Sequence, residues 1–172
     1  SYNKRDKKLE DHDIAAHVKP GSGPRHLVFS PNGRYAYLMN ELSGKVIVYS
    51  YSDGKLKELQ SIAADNANAR GGADIHVSPD GMFVYASTRL KGDGITIFRV
   101  GNKGTLTRVG AQLTGKHPRN FAITPNGNFL LVACRDDNSI QVYSRDKDTG
   151  LLKNTHQDIV LSHPVCVKFY PE

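Results

Sequence analysis

Short runs of alternating hydrophobic and polar residues fill the chain, and they recur in the same order three times. The apolar runs "RHLVF", "DIHV" and "RNFAI" each precede a turn sequence, which reads "SPNG" at 30–33, "SPDG" at 78–81 and "TPNG" at 124–127. Each turn is followed by a second apolar run, then a third, then a weaker fourth. Asn-Gly or Asp-Gly between alternating runs predicts a β-hairpin, and no window of useful length has the 3.6-residue period of a helix. The pattern therefore predicts an all-β protein.

The spacing of the repeats indicates how the strands are organised. The turn prolines Pro31, Pro79 and Pro125 stand 48 and 46 residues apart. Four short antiparallel strands per repeat at this period are typical of β-propeller blades. We expect blades over about 23–70, 71–116 and 117–162. A β-sandwich with three similar turns is the alternative.

The two ends of the chain extend beyond these three repeats. Residues 13–20, "DIAAHVKP", resemble the last strand of a preceding blade. Residues 163–172 are expected to begin a further strand, because Pro171 follows Pro125 by another 46 residues. Three blades do not close a propeller. We therefore expect part of a larger propeller, whose exposed blade edges allow self-association.

Composition and charge exclude several classes of partner. The chain has 172 residues and a formal net charge of +6, and its basic residues are scattered apart from an early "NKRDKK". No nucleic-acid-binding pattern accompanies them, so we expect a small anionic ligand and no nucleic acid. The longest apolar stretch, "FLLVAC", is too short to span a membrane, and nothing at the start of this chain reads as a secretory signal. We expect a cytoplasmic location, with a signal peptide on the N-terminal half that is not part of this chain as the open alternative. Cys134 and Cys166 lie in apolar runs and are expected to be buried, reduced thiols.

Charged and polar residues collect at the hairpin ends opposite the turns. Residues equally far from a turn become neighbours in a hairpin, so Arg25 and Glu41 are predicted to meet there. The other two repeats carry similar residues at that end: Asp74, His76 and Arg89 in the second, and Arg119, Asn120 and Arg135 in the third. In a single blade such residues are most often solvated, and His76 could be a hydrogen-bonded core histidine. Convergence from three successive repeats favours a shared pocket, and the absence of metal-ligand spacing argues against a metal.

These segments resemble a known family. "GPRHLVFSPNGRYAYLMNEL", "ADIHVSPDG", "STR" and "HPRNFAITPNGNFLLVA" are similar to the propeller-type 6-phosphogluconolactonases of the lactonase family, and "HPVCVKF" resembles its C-terminal signature. The resemblance runs from about residue 13 to 170. It implies a seven-bladed propeller, of which this chain is roughly the C-terminal half.

The resemblance also implies an activity and a pocket. The family hydrolyses 6-phosphoglucono-1,5-lactone in the pentose phosphate pathway without a cofactor. The resemblance places seven residues in the pocket: Arg25, His26, Glu41, Asp74, His76, Arg89 and Arg119. We add Asn40 and Asn120, which stand at the same hairpin ends. We expect the catalytic residues to be His26, Glu41, Arg25 and His76, and the substrate-binding residues to be Arg89, Arg119, Asp74, Asn40 and Asn120. Arg135 falls where the family is variable, so its role stays open.

Lactone hydrolysis requires a base, a cation for the developing oxyanion and an anchor for the phosphate. Glu41 or a histidine could be the base. Neighbouring arginines lower the pKa of a carboxylate, which favours His26 or His76 and leaves Glu41 to orient one of its neighbours. The arginines suit phosphate and oxyanion. A muconate-cyclising lyase or isomerase and a non-catalytic binding propeller remain as alternatives.

Overall fold

The three repeats form three antiparallel sheets of the kind that builds a propeller. The computed structural model describes residues 2–10, 14–65, 67 and 70–170. A two-stranded hairpin of β1 (Tyr2–Asn3) and β2 (Lys8–Leu9) precedes the sheets. The first sheet holds β3 (Pro24–Phe29), β4 (Tyr35–Asn40), β5 (Lys45–Ser52) and β6 (Lys55–Ala63). The second holds β7 (Gly72–Val77), β8 (Phe83–Thr88), β9 (Gly94–Val100) and β10 (Leu106–Leu113).

The third sheet follows the same order with an interrupted outer strand. It holds β11 (Pro118–Ile123), β12 (Phe129–Cys134), β13 (Ser139–Arg145), β14 (Leu152–Asn154) and β15 (Ile159–Val160). Both β14 and β15 pair with β13, one at each end of it. A 3₁₀ turn at Arg135–Asp137 joins β12 to β13 and is the one helical element of the described residues. The fold is all-β, as the alternating pattern predicts.

The Ser/Thr-Pro-Asn/Asp-Gly turns close the first hairpin of each sheet in one way. In the first repeat the Ser30 hydroxyl donates to Asn32 Oδ1 at 2.7 Å and accepts from the Tyr35 backbone N–H at 3.0 Å. Ser78 and Thr124 repeat both contacts in their own sheets. Gly33 has a φ of 68°, a left-handed conformation that glycine adopts without strain. These local bonds explain why the turns are readable from sequence.

The hydrophobic core lies between neighbouring sheets. One cluster fills the space between the first and second sheets and includes Tyr37, Val84 and Phe98. Another fills the space between the second and third sheets and includes Tyr85 and Phe121. The second sheet is therefore covered on both faces, and the first and third sheets are each covered on the face that meets it, which is how neighbouring propeller blades stabilise one another.

Both extensions beyond the three sheets differ from the sequence prediction. No strand is assigned to residues 14–20, although Leu56 donates a backbone hydrogen bond to the Ala15 carbonyl at 3.3 Å. No strand is assigned to 163–170 either, and Pro171 lies outside the described residues. In each segment an apolar run is present without a ladder of backbone hydrogen bonds, and a strand is defined by that ladder. Among the described residues, no helix is long and apolar enough to cross a membrane.

Candidate functional site

A cleft of about 530 Å³ opens where the innermost strands of the three sheets approach one another. Its polar lining comes from β3, β7 and β11 and from the segment after β15: Arg25, His26, Asp74, His76, Arg119, Asn120 and Lys168. The structure therefore brings together six of the nine predicted site residues. The three repeats do converge on one cleft.

β-Bulges determine which side chains reach this cleft. The pairing of β3 with β4 shifts register between Pro24 and His26, and the pairing of β11 with β12 shifts between Pro118 and Asn120. A bulged residue is unpaired and its side chain is re-aimed. Arg25 and Arg119 are those residues, and both line the cleft. The β7–β8 pair is shifted at the corresponding place, between Gly72 and Ile75.

Asp74 is the centre of the site. Its Oδ1 accepts from His26 Nδ1 at 2.7 Å and from the Ile75 backbone N–H at 2.9 Å. Its Oδ2 accepts from His76 Nε2 at 3.1 Å, Asn120 Nδ2 at 2.5 Å and the Phe121 backbone N–H at 3.2 Å. Residues of three sheets thus meet at one carboxylate.

The environment of Asp74 keeps this carboxylate ionised. Burial alone would raise its pKa, since only 4% of the side chain is exposed. The hydrogen bonds from His76, His26 and the Phe121 N–H outweigh burial and lower the pKa to about 2. Asp74 is therefore an acceptor at neutral pH and can orient both imidazoles.

The two histidines differ in their access to the cleft. An ionised carboxylate only accepts, so His26 carries a proton on Nδ1 and His76 carries one on Nε2. The His26 side chain is 43% exposed and that of His76 is 28% exposed. The His76 ring packs against the Phe121 ring in an edge-to-face arrangement, with the two ring centres 4.8 Å apart. His26 Nε2 has no hydrogen-bond partner among the described residues. His26 is the more accessible proton acceptor.

Glu41 and Arg25 meet at the open end of the first hairpin, where their spacing from the turn places them. Arg25 Nη1 donates to Glu41 Oε2 at 3.1 Å, and Arg25 Nε donates to the Ala73 carbonyl at 2.8 Å. Arg89 Nη2 donates to Glu41 Oε1 at 2.5 Å. Burial raises the pKa of Glu41, but the two arginines outweigh it and lower the pKa. Glu41 is thus an ionised bridge that fixes Arg25.

Three residues have surroundings that the sequence did not predict. Arg89 was expected opposite Asp74 and His76, but the register of the β7–β8 pair places it beside Gly71, whose carbonyl accepts from the Arg89 backbone N–H at 2.8 Å. Its side chain is buried and contacts Glu41 of the neighbouring sheet. Asn40 is fully buried and donates to the Lys45 carbonyl at 3.2 Å, so it is not open to a substrate. Arg135 pairs with Asp136 at 2.7 Å and does not line the cleft.

Other residues near the cleft were missed or misjudged from sequence. Cys134 is buried as predicted, but Cys166 is exposed and lines the cleft, because its segment joins no sheet. Lys168 also lines it. Val167, between them, donates its backbone N–H to Asn120 Oδ1 at 2.7 Å, as Phe121 does to Asp74 one repeat earlier. The sequence "HPVCVKF" follows "HPRNFAI" by one repeat period, and this spacing was the signal in the sequence that could have placed these residues at the cleft.

Another omission is His117, which the sequence gave no reason to select beyond its place before a proline. Its Nε2 lies 3.0 Å from Arg89 Nη1.

No cluster of three or more His, Cys, Asp or Glu with the geometry to hold a metal occurs in the part of the chain that the structure describes.

Comparison with known proteins connects this site to a family. The family model for "Lactonase, 7-bladed beta-propeller" matches residues 1–169. A 6-phosphogluconolactonase from Formosa agariphila is 48% identical over 153 residues, covering 86% of this chain and 43% of that relative. The corresponding Bacillus subtilis protein is 37% identical over 159 residues, covering 87% of this chain and 45% of its own length.

Solved structures agree with these relatives. A provisionally assigned 6-phosphogluconolactonase from Bacteroides uniformis has a TM-score of 0.88 at 64% identity, covering 89% of this chain and 45% of its own. The periplasmic gluconolactonase PpgL from Pseudomonas aeruginosa has a TM-score of 0.85 at 35% identity, covering 91% and 45%. The chain spans about half the length of the curated relatives it matches. It belongs to the lactonase family of seven-bladed β-propellers.

Proposed function

We propose that the protein hydrolyses a sugar lactone, with 6-phosphoglucono-1,5-lactone as the first candidate substrate. The observation that carries this proposal is the 2.7 Å pair of His26 Nδ1 and Asp74 Oδ1 beside two cleft-lining arginines. An imidazole held by a buried carboxylate is an arrangement that activates a nucleophile. Here the nucleophile is a water molecule.

The first step uses the free nitrogen of His26. With Nδ1–H held by Asp74, the neutral ring presents Nε2 to the cleft as an acceptor. Nε2 takes a proton from water as the oxygen attacks the lactone carbonyl. The proton then passes to the ring oxygen as the ester bond breaks, leaving an open-chain acid. His76 shares Asp74 and packs against Phe121, so we assign it to positioning.

The cations of the cleft supply the remaining requirements. Arg25 is fixed by Glu41 and by the Ala73 carbonyl, and it is suited to stabilise the oxyanion of the tetrahedral intermediate. Arg119 has no ion pair among the described residues and is available for the phosphate, with Lys168 nearby. Glu41 is a poor base because two arginines lower its pKa.

A lactone without phosphate is a second candidate, because PpgL, at 35% identity, is described as a gluconolactonase. The test compares disappearance of glucono-1,5-lactone with and without the 6-phosphate, using the intact protein. We expect turnover of both, with the lower KM for the phosphorylated substrate. Equal KM values would assign Arg119 and Lys168 no role in phosphate recognition. No turnover of either lactone would favour the cyclase or the non-catalytic propeller.

Two histidine variants identify the base. His26→Ala is expected to lower kcat by about 100-fold, the low end of general-base contributions, and to remove the acid limb of the kcat profile. His76→Ala is expected to keep that limb, because His26 retains its Asp74 partner. If His76→Ala removes the limb and His26→Ala does not, the two roles are exchanged.

A cytoplasmic location of the protein stays a prediction.

A further inference from the structure

His117 stands outside the cleft and contacts the charged residues behind it. Arg89 Nη1 donates to His117 Nε2 at 3.0 Å, and the same guanidinium donates through Nη2 to Glu41. Glu41 in turn holds Arg25 at 3.1 Å. A continuous chain of contacts therefore runs from the third sheet through the second to the first, and ends at a cleft arginine.

The direction of these bonds fixes the protonation state of His117. A guanidinium can only donate, so His117 Nε2 must be an unprotonated acceptor. The ring proton is then on Nδ1, which lies 3.3 Å from Asp136 Oδ2. Adding a second proton to the ring would remove the acceptor and place a cation against Arg89.

The backbone at this position does not explain the choice of histidine. His117 has a φ of 58°, and the corresponding residues of the first and fourth repeats, Gly23 and His163, have φ values of 64° and 46°. Glycine meets that requirement without strain. His163 is exposed, and its ring contacts Ser162 but no arginine among the described residues. Of the two histidines, only His117 adds a contact with Arg89.

We propose that His117, in its neutral Nδ1–H form, is a positioning residue that holds Arg89 and, through Glu41, sets Arg25 for the substrate. The expected change in kinetics rests on the proposed function, whereas the expected displacement of Arg89 does not. Arg89 is 6% exposed, so it has little access to water that could replace the imidazole. The loss of His117 is therefore expected to displace Arg89.

The charges around the ring favour its neutral form. The positive charges of Arg89, Arg119 and Arg135 act on the His117 ring, and the negative charge of Asp136 opposes them. Burial lowers the pKa of His117, and Arg135 and Arg89 lower it further. The ring thus remains an acceptor at neutral pH.

Matched variants separate the hydrogen bond from the bulk of the ring. His117→Leu keeps a side chain of similar size and the same backbone requirement but cannot accept a hydrogen bond. His117→Gln can still accept from Arg89. His163→Leu is the control for replacing a histidine at the same position of another repeat.

We expect His117→Leu to lower kcat for 6-phosphoglucono-1,5-lactone about tenfold with little change in KM, because Arg25 acts on the oxyanion and the loss of a hydrogen bond to a charged group is of this size. His117→Gln is expected to restore kcat to within about threefold of the wild type, and His163→Leu to leave it unchanged. Lowering the pH should lower kcat more in the wild type than in His117→Gln, since only the wild type has an imidazole at position 117 to protonate. The other titratable groups, including the phosphate, are common to both proteins. Equal kcat values for His117→Leu and His117→Gln would overturn the kinetic part.

Crystal structures of the variants test the proposal without any turnover. We expect Arg89 to move by about 1 Å or more in His117→Leu, a displacement of the size that matters in catalytic sites, and to stay in place in His117→Gln. If the Arg89–Glu41 pair is unmoved in His117→Leu, the proposal is wrong whatever the kinetics show. If no lactone is hydrolysed by the wild type, the proposed function fails, and the crystal structures alone decide the role of His117.

Discussion

Asp74 both joins the sheets and orients the two histidines of the cleft. Its carboxylate accepts hydrogen bonds from two histidines, an asparagine side chain and two backbone N–H groups. These bonds connect the first, second and third sheets at the cleft. Because the bonds favour the ionised form, any change that protonates Asp74 weakens the junction and frees both imidazoles.

The pKa of Asp74 predicts acid sensitivity. Its pKa in the folded protein is about 2, below the ordinary value of 3.8. A lowered carboxylate pKa contributes stability that is present above the ordinary value and is lost as the pH falls towards the folded value. Between pH 5 and 2.5 we expect the wild type to lose about 2 kcal/mol more unfolding free energy than Asp74→Asn. Urea unfolding at the two pH values measures this difference.

The control for this experiment is Asp148→Asn, since Asp148 is exposed and its carboxylate makes no hydrogen bond among the described residues. Its pH dependence should follow that of the wild type. An identical pH dependence for wild type and Asp74→Asn would show that Asp74 does not titrate at a lowered pH.

Sequence reasoning at this scale succeeded where position along a hairpin was sufficient. The distance of Arg25 and Glu41 from the turn predicted their contact, and the structure confirms it at 3.1 Å. Arg89 occupies the position of Glu41 one repeat later but contacts Glu41 itself, in the neighbouring sheet. Contacts between sheets depend on how the sheets pack, which the position of a residue within its repeat does not specify.

At the scale of the strand, the register shifts in the innermost strand pair of each sheet influence which side chains line the cleft. Register shifts occur in the first hairpin of all three sheets. The turn sequences predicted these hairpins, because Ser30 and its equivalents form local hydrogen bonds with residues two and five positions away. Nothing in the alternating pattern marks the bulge, since a bulge adds one residue without changing the apolar run around it.

The bulge at Arg119 leads to a prediction about binding. Arg119 lines the cleft and has no ion pair within the described residues, so its guanidinium is available for an anion. Arg119→Ala is expected to weaken binding of 6-phosphogluconate by about 2–4 kcal/mol, the range for a buried charge-assisted contact. Titration calorimetry on the intact protein measures this loss.

The matched control is Arg135→Ala, because Arg135 follows the same strand pair but points to Asp136 outside the cleft. Its affinity should equal that of the wild type. If Arg119→Ala also binds like the wild type, the phosphate is bound by other residues, of which Lys168 is the nearest candidate on the cleft wall.

At the scale of the whole molecule, the repeats act through their interfaces. The period of the turns predicted three blades, and the hydrophobic clusters lie between the sheets as that architecture requires. Which polar residues would join the sheets was not predictable, because such contacts connect residues of different repeats. Asp74 with Phe121 and Asn120 with Val167 are two such contacts, at 3.2 and 2.7 Å. Self-association through exposed blade edges stays a prediction.

Arg145 makes a buried polar connection between the second and third sheets. Its side chain is fully buried and donates to Asp80 Oδ2 at 2.6 Å, Tyr85 Oη at 2.8 Å and the Gly127 carbonyl at 3.1 Å. The guanidinium also lies 5.4 Å from the centre of the Phe83 ring. Removing one partner of a buried ion pair is costly because the other is left without its counter-charge.

We therefore expect Arg145→Met, which keeps the apolar stem, to lower the free energy of unfolding by about 3 kcal/mol, near the lower end for a buried pair because Asp80 is still in contact with water. Arg99→Met is the matched control. Arg99 lies over the same Phe83 ring at 4.7 Å but is exposed, so its loss should cost less than about 1 kcal/mol.

Asp80→Asn combined with Arg145→Met should cost less than the two single changes added together, since each removes the same pair. Denaturant unfolding of the four variants measures these values. An equal effect of Arg145→Met and Arg99→Met would show that the buried Arg145–Asp80 pair stabilises the protein no more than an exposed cation over the same ring.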